Sequence, residues 1–390
     1  MQNRMLIDYK GKKSILTIPN RSVSARLERI KTFQGLLLSD WENILIQGDN
    51  LSTLNLLLEN PEIKGKIRLV YIDPPFSTNQ VFKRGNGRTA TISRSEHDAI
   101  AYRDTLNGPE YLEFLRERLV LLRRILASDG AIYVHIDCKM GHYVKVIMDE
   151  IFGSEKFIND ITRIKCNPKN FARKGFGNVK DMVLFYSKTA RYIWNDPRED
   201  LTEKDVRRLF TKVSQDGRRY TTTPLHAPGE TKNGPTGQKW RNMNPPKGRH
   251  WRYPPKELED LDRVGLIEWS STGNPRKIIF ADEILAKGKK RQDLWEFKDP
   301  AYPSYPTEKN MDMLKMIIET SSNQDDIVLD CFAGSGTTLV AAEETGRRWV
   351  GIDESKVAIK TCCARLSDIK EHTPFTFYKL RKAKGQYNGK

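Results

Sequence analysis

The chain has 390 residues, enough to bury a full α/β core with room for a second, smaller unit. Its 66 Lys and Arg against 50 Asp and Glu leave a formal charge of +16, and residues 161–250 alone carry 20 basic and 8 acidic side chains, a density suited to a polyanion because each cation set on a phosphate releases counterions. Five cysteines without a CxxC pair and 6 histidines in no ligand-like spacing point to neither a metal nor a disulfide framework; the absence of an apolar run near the roughly 20 residues of a membrane span, and of a signal-peptide pattern, gives the expectation of a cytoplasmic protein with no membrane partner.

Residues 1–40 are basic and polar with short β-like runs such as Ser14-Ile15-Leu16-Thr17-Ile18, and read as an N-terminal extension on the main domain. From residue 41 the pattern becomes strand, turn, helix, strand: Ile44-Leu45-Ile46, then Gly48-Asp49-Asn50, a leucine-rich helix, and the apolar run 67–72. Continuous apolar strands of this kind belong to a parallel sheet covered on both faces. Residues 77–104, with Lys83, Arg84, Arg88 and Arg94 among small polar residues, suit a flap.

Pro109 at a natural first helical position opens a helix whose Leu112, Leu115, Leu119, Leu122 and Ile125 repeat at core-facing spacing until Asp129-Gly130. A strand at 131–136, a helix to about residue 152 and a strand at 182–186 prolong the alternation. Between about 189 and 300 it breaks into Pro/Gly/Asn-rich loops with several tryptophans, which marks an inserted unit. A helix over 308–320, a strand at 327–329, a glycine-rich turn, a helix and a strand at 349–352 then resume the pattern. The expected fold is thus α/β, a doubly wound, mostly parallel sheet built by residues 41–188 and 301–390.

Two stretches carry chemistry. Asp330-Cys331-Phe332-Ala333-Gly334-Ser335-Gly336-Thr337-Thr338 lies between a strand and a helix, where glycines admit a ligand to the backbone and the helix N-terminus offers free N–H groups. Asp353 ends the next strand about 20 residues on, where a carboxylate accepts from a ribose diol. Together they favour an adenosine-type ligand. Asp73-Pro74-Pro75-Phe76 follows the strand ending at Ile72, at the carboxyl edge where open α/β sheets bind ligands. The prolines stiffen the backbone and remove N–H donors, leaving the Asp73 carboxylate and the Pro74 carbonyl as acceptors and Phe76 as a flat face, a cradle for an NH2 group on a planar ring. Cys331 reads as a structural thiol, and His135 and His142 as satisfied structural histidines.

These motifs and their order resemble the permuted class of amino-methyltransferases of DNA, in which the catalytic motif precedes the cofactor motif with a target recognition domain between them. The match covers roughly residues 43–368. The resemblance implies the S-adenosylmethionine-dependent methyltransferase fold, transfer to adenine N6 of a flipped base in double-stranded DNA, and residues 189–300 as the recognition domain. It makes Asp73, Pro74, Pro75 and Phe76 the catalytic set. It assigns Asp330, Phe332, Gly334, Gly336, Thr337 and Asp353 to the cofactor pocket, Asp49 and Asn50 to the cofactor adenine, and Thr307 and Lys309 to its methionine end. Arg249-His250-Trp251-Arg252-Tyr253 resembles a stretch of type III-like modification subunits, so a restriction subunit is a candidate partner, and because relatives with this motif order often pair, a homodimer is another. Cys331 and Phe76 depart from the family's commoner proline and tyrosine. The alternatives are cytosine-N4 transfer, for which a serine in place of Asp73 is typical, a silent DNA-binding relative, and methylation of RNA or a protein amide.

Overall fold

Leu69 and Tyr71 join one apolar cluster while Val70 and Ile72 of the same strand join another. This alternation is the two-residue period of a strand buried on both faces, and it repeats in Ala131 and Tyr133 against Ile132, Val134 and Ile136. The structure, a computed structural model, describes residues 6–18, 25–36, 41–75, 80–84, 99–104, 106, 108–168, 172, 174–301, 303 and 308–382. It divides into two compact units, Met1–Asp196 with Gln292–Lys390, and Pro197–Arg291.

The larger unit is built on a ten-stranded sheet. In chain order its elements are β1 (Ala25–Phe33), β2 (Asn43–Gln47), α1 (Asn50–Leu57), β3 (Ile67–Ile72), α2 (Gly108–Ile125), β4 (Leu126–Ile136), α3 (Gly141–Phe152), β5 (Phe157–Ile164), β6 (Lys180–Ser187), β7 (Leu294–Trp295), α4 (Met311–Ser321), β8 (Ile327–Asp330), α5 (Thr337–Glu344), β9 (Arg348–Asp353), α6 (Lys356–Ser367) and β10 (Phe375–Lys382). The sheet order is β1-β10-β2-β9-β8-β3-β4-β6-β5-β7. From β10 to β4 every neighbouring pair is parallel; β1 against β10 and β6 against both β4 and β5 are antiparallel.

Helices α1, α2 and α3 bury Leu54, Leu115 and Val144 on one face, and α4, α5 and α6 bury Ile317, Leu339 and Ile359 on the other. This is the doubly wound, mostly parallel sheet expected from the alternating pattern. Two details differ. Leu126, directly after α2, already pairs with Ile67, so that strand begins earlier than residue 131 and absorbs a register shift before Ala131. The helix expected from residue 308 begins at Met311, because the Asn310 side chain accepts from the Met313 amide at 3.0 Å and caps it there. Of the expected flap, Gln80–Arg84 and Ala99–Asp104 pair as a hairpin and the rest lies outside the described residues.

The smaller unit has its own core of Leu225, Trp240, Trp251, Leu258 and Ile267. Its four-stranded antiparallel sheet runs Lys212–Val213, Arg219–Pro224, Pro275–Phe280, Ile267–Trp269, beside a hairpin of His226–Pro228 and Arg249–Trp251. Trp240 stacks on Trp269 with ring centroids 5.6 Å apart, and the Trp251 indole donates to the Gln238 carbonyl. Trp240 and Trp251 are buried in this core, while Trp269 stacks on it from an exposed position.

Candidate active site

In parallel strands every carboxyl end lies at one edge of the sheet. Leu329 pairs with Val70, Asp330 with Gly351, and Asp353 with Gln47, so Asp73, Asp330, Asp353 and Asp49 all follow or end four adjacent strands, β3, β8, β9 and β2, on that edge. The two motifs that the sequence separates by more than 250 positions are brought to neighbouring strand ends.

The glycine turn is held by its own carboxylates. Asp330 Oδ1 accepts from the Phe332 amide at 2.9 Å and Oδ2 from the Thr338 hydroxyl at 2.6 Å. Burial pushes the Asp330 carboxyl up to about 7, and the nearby Asp73 charge adds to the rise. Asp353 Oδ2 accepts from the Gly334 amide and Oδ1 from the Ser355 amide, each at 2.8 Å, while burial lifts its carboxyl to about 6. Gly336 has φ +78°, and a Cβ there would meet Cys362 Sγ at 2.9 Å, so glycine is required both by conformation and by space. Arg365 donates to the Ser335 carbonyl and the Thr337 hydroxyl and pairs with Glu308 at 3.1 Å, which ties the segment before α4 to this turn.

Beside it, Asp49 Oδ2 accepts from the Ser52 amide and caps α1, and the Asn50 amide donates to the Cys331 carbonyl at 2.8 Å. Both are gripped by Arg118, 5% exposed, through its Nε on Asn50 and an Nη2 contact of 3.2 Å with Asp49. The Arg118 guanidinium lies 3.6 Å from the Phe114 ring centroid, and Phe114 sits against Phe332. Arg118 escaped the sequence reading, although a charge three residues after Leu115 and four before Leu122 falls on the buried stripe of α2, which was the available signal. Cys331 is fully buried, and burial pushes its thiol up.

The acid corner is arranged differently. Pro74 is buried and Pro75 half-buried behind Asp73. Lys309 Nζ lies 2.6 Å from Asp73 Oδ2. Asp73 Oδ1 is shut away from solvent and has no hydrogen-bond partner among the described residues; the ring atom facing it, His135 Nδ1, is 3.9 Å away. His135 is itself bonded to the Tyr71 hydroxyl through Nδ1 at 2.8 Å and to Asp181 through Nε2 at 3.2 Å. Burial holds the imidazole below its ordinary range, so it is neutral near pH 7. Burial alone would raise Asp181, but bonds from His135 and Lys165 hold its carboxyl below the usual range. The His135–Asp181 pair was not legible in the sequence. Phe76 and Thr307 lie outside the described residues.

The family model described as DNA methylase matches residues 67–363. The chain is similar to the type II methyltransferase M.EcaI of Enterobacter cloacae, 44% identical over 83% of this chain and 69% of that one. It is also similar to the StyLTI Mod subunit, a type III restriction-modification enzyme of Salmonella typhimurium, at 27% identity over 78% of this chain; the chain spans about half that relative's length, 51%. Among solved structures, the cytosine-N4-specific PvuII DNA methyltransferase aligns with a TM-score of 0.48 at 14% identity, covering 84% of this chain and 89% of that one.

Proposed function

The chain belongs to the DNA methylase family, and from that premise we propose that it methylates N6 of adenine in double-stranded DNA, with S-adenosylmethionine as the methyl source. The observation that carries this reading is a buried carboxylate oxygen without a partner among the described residues, Asp73 Oδ1, at the strand end beside the glycine turn. A desolvated acceptor left unpaired costs free energy, and a donor NH2 on an entering base removes that cost.

The glycine turn fits the adenosine and methionine parts of that cofactor. Asp353, each of whose oxygens retains a lone pair beyond its backbone bond, serves the ribose hydroxyls, and Phe332 supplies an apolar wall. When bound, the cofactor supplies an electrophilic methyl group on a sulfonium. Asp73 Oδ1 and the Pro74 carbonyl accept the two N–H bonds of the exocyclic amine, which draws the nitrogen lone pair out of conjugation and makes it nucleophilic. The target base leaves the duplex stack to reach this edge, at a cost of a few kcal/mol. A carboxylate rather than a hydroxyl in the first position of the motif favours adenine over cytosine.

The unit Pro197–Arg291, with 21 basic against 13 acidic residues, reads the DNA sequence. Burial lowers His226, and the nearby Arg249, Arg252 and Arg276 add to the fall, so three guanidinium groups gather around this histidine. Self-pairing and a restriction subunit are further partners for this reading, which places the protein in the cytoplasm of a bacterium, an archaeon or a phage host.

Transfer of labelled methyl from S-adenosylmethionine to duplex DNA, followed by mass analysis of the nucleosides, tests the proposal. N6-methyladenine is expected. N4-methylcytosine, or no product on any DNA, overturns it.

A further inference from the structure

Lys309 stands just before the Asn310 cap of α4, is 8% exposed, and reaches across to Asp73 Oδ2. We propose that Lys309 is a positioning residue: its ammonium commits one oxygen of Asp73 and thereby presents the other, Oδ1, as the acceptor for the target amine. This rests on the methyl-transfer reading above and goes beyond the assignment of Lys309 to the cofactor.

The prolines that follow stiffen the backbone of the corner but leave the Asp73 side chain its own rotation. A charge-assisted bond of 2.6 Å on Oδ2 removes that freedom. The far side is closed by His135. Asp181 in its ionised form can only accept, so His135 carries its proton on Nε2, and Nδ1 then accepts from the Tyr71 hydroxyl. The ring atom facing Asp73 Oδ1 therefore has no proton to give, and Oδ1 stays open for an external donor.

The same stretch of chain also grips the glycine turn, because Glu308, the preceding residue, pairs with Arg365, which holds the Ser335 carbonyl and the Thr337 hydroxyl. One segment thus links the orientation of the acceptor to the order of the cofactor pocket.

The test compares wild type with Lys309→Met and Lys309→Arg, measuring cofactor affinity by calorimetry and the methyl-transfer rate at saturating cofactor and DNA. Lys309→Met should slow transfer by about 30-fold or more while cofactor Kd and the KM for DNA stay within about threefold, and Lys309→Arg should recover the rate to within about tenfold of wild type. A cofactor Kd that worsens as much as the rate assigns Lys309 to the cofactor and overturns the proposal, as does a failure of arginine to rescue. A double-mutant cycle of Lys309→Met with Asp73→Asn in urea unfolding needs no activity: coupling between the two supports the pair, and additive effects overturn it. Should the wild type methylate no DNA, the functional reading fails while the cycle still judges the pair.

Discussion

The glycine turn and the acid corner share one sheet edge, but the first is finished and the second is not. Around the turn, each oxygen of Asp330 and Asp353 already accepts a bond from the protein's own amides or the Thr338 hydroxyl. At the corner, Lys309 occupies one oxygen of Asp73 and the other is buried with no partner among the described residues. A site that binds by shape is best completed before its ligand arrives, since every internal bond reduces the ordering cost of binding. A site that must activate a donor keeps its acceptor unspent until the donor comes. The contrast separates affinity from chemistry, and substitutions should sort accordingly.

The largest effect on the finished side is expected from Asp353→Ala, which removes the proposed ribose acceptor: cofactor Kd measured by calorimetry should rise about 100-fold, some 2.7 kcal/mol. An equal loss in transfer rate at saturating cofactor would blur the comparison. Next, Arg118→Met should cost about 2 kcal/mol in denaturant unfolding by leaving the Asn50 oxygen and Asp49 without their cation, and should weaken the cofactor secondarily. Gly336→Ala forces a side chain into a positive φ against Cys362 and should destabilise by about 1–2 kcal/mol, read by the same unfolding curve.

A further effect on the finished side is a pH dependence. Asp330, with its carboxyl raised by burial from 3.8 to about 7, binds its proton more tightly folded than unfolded. Its contribution to stability is fully present below about 3.8 and is lost as pH rises through about 7, with a slope of at most about 1.4 kcal/mol per pH unit. Asp330→Asn should flatten that part of the curve in melts taken between pH 5 and 8, which bracket the raised value of about 7; an unchanged curve would show that Asp330 is ionised in the native protein.

Much of the sheet was legible because buried parallel strands are runs such as Ile67 to Ile72, and their helices repeat leucines at 3.6 spacing. The edge strand β1 was not, because Ala25–Phe33 alternates charges with half-buried residues and finds its partner only in β10, at the other end of the chain. The same physics divides the site. Asp73, Asp330, Asp353 and the glycines announce themselves through fixed local spacing. Arg118 on Asn50, Lys309 on Asp73 and His135 on Asp181 are contacts between distant segments, and no periodicity in the sequence records them.

The central claim, that Asp73 Oδ1 is an acceptor reserved for the target amine, is tested most directly by Asp73→Ala assayed twice in one preparation: cofactor binding by calorimetry and methyl transfer to duplex DNA at saturating cofactor. A fall of about a thousandfold or more in transfer, with cofactor affinity within about threefold of wild type, is the predicted result. Near-normal transfer by the alanine variant, or a loss of activity explained entirely by lost cofactor affinity, would contradict it.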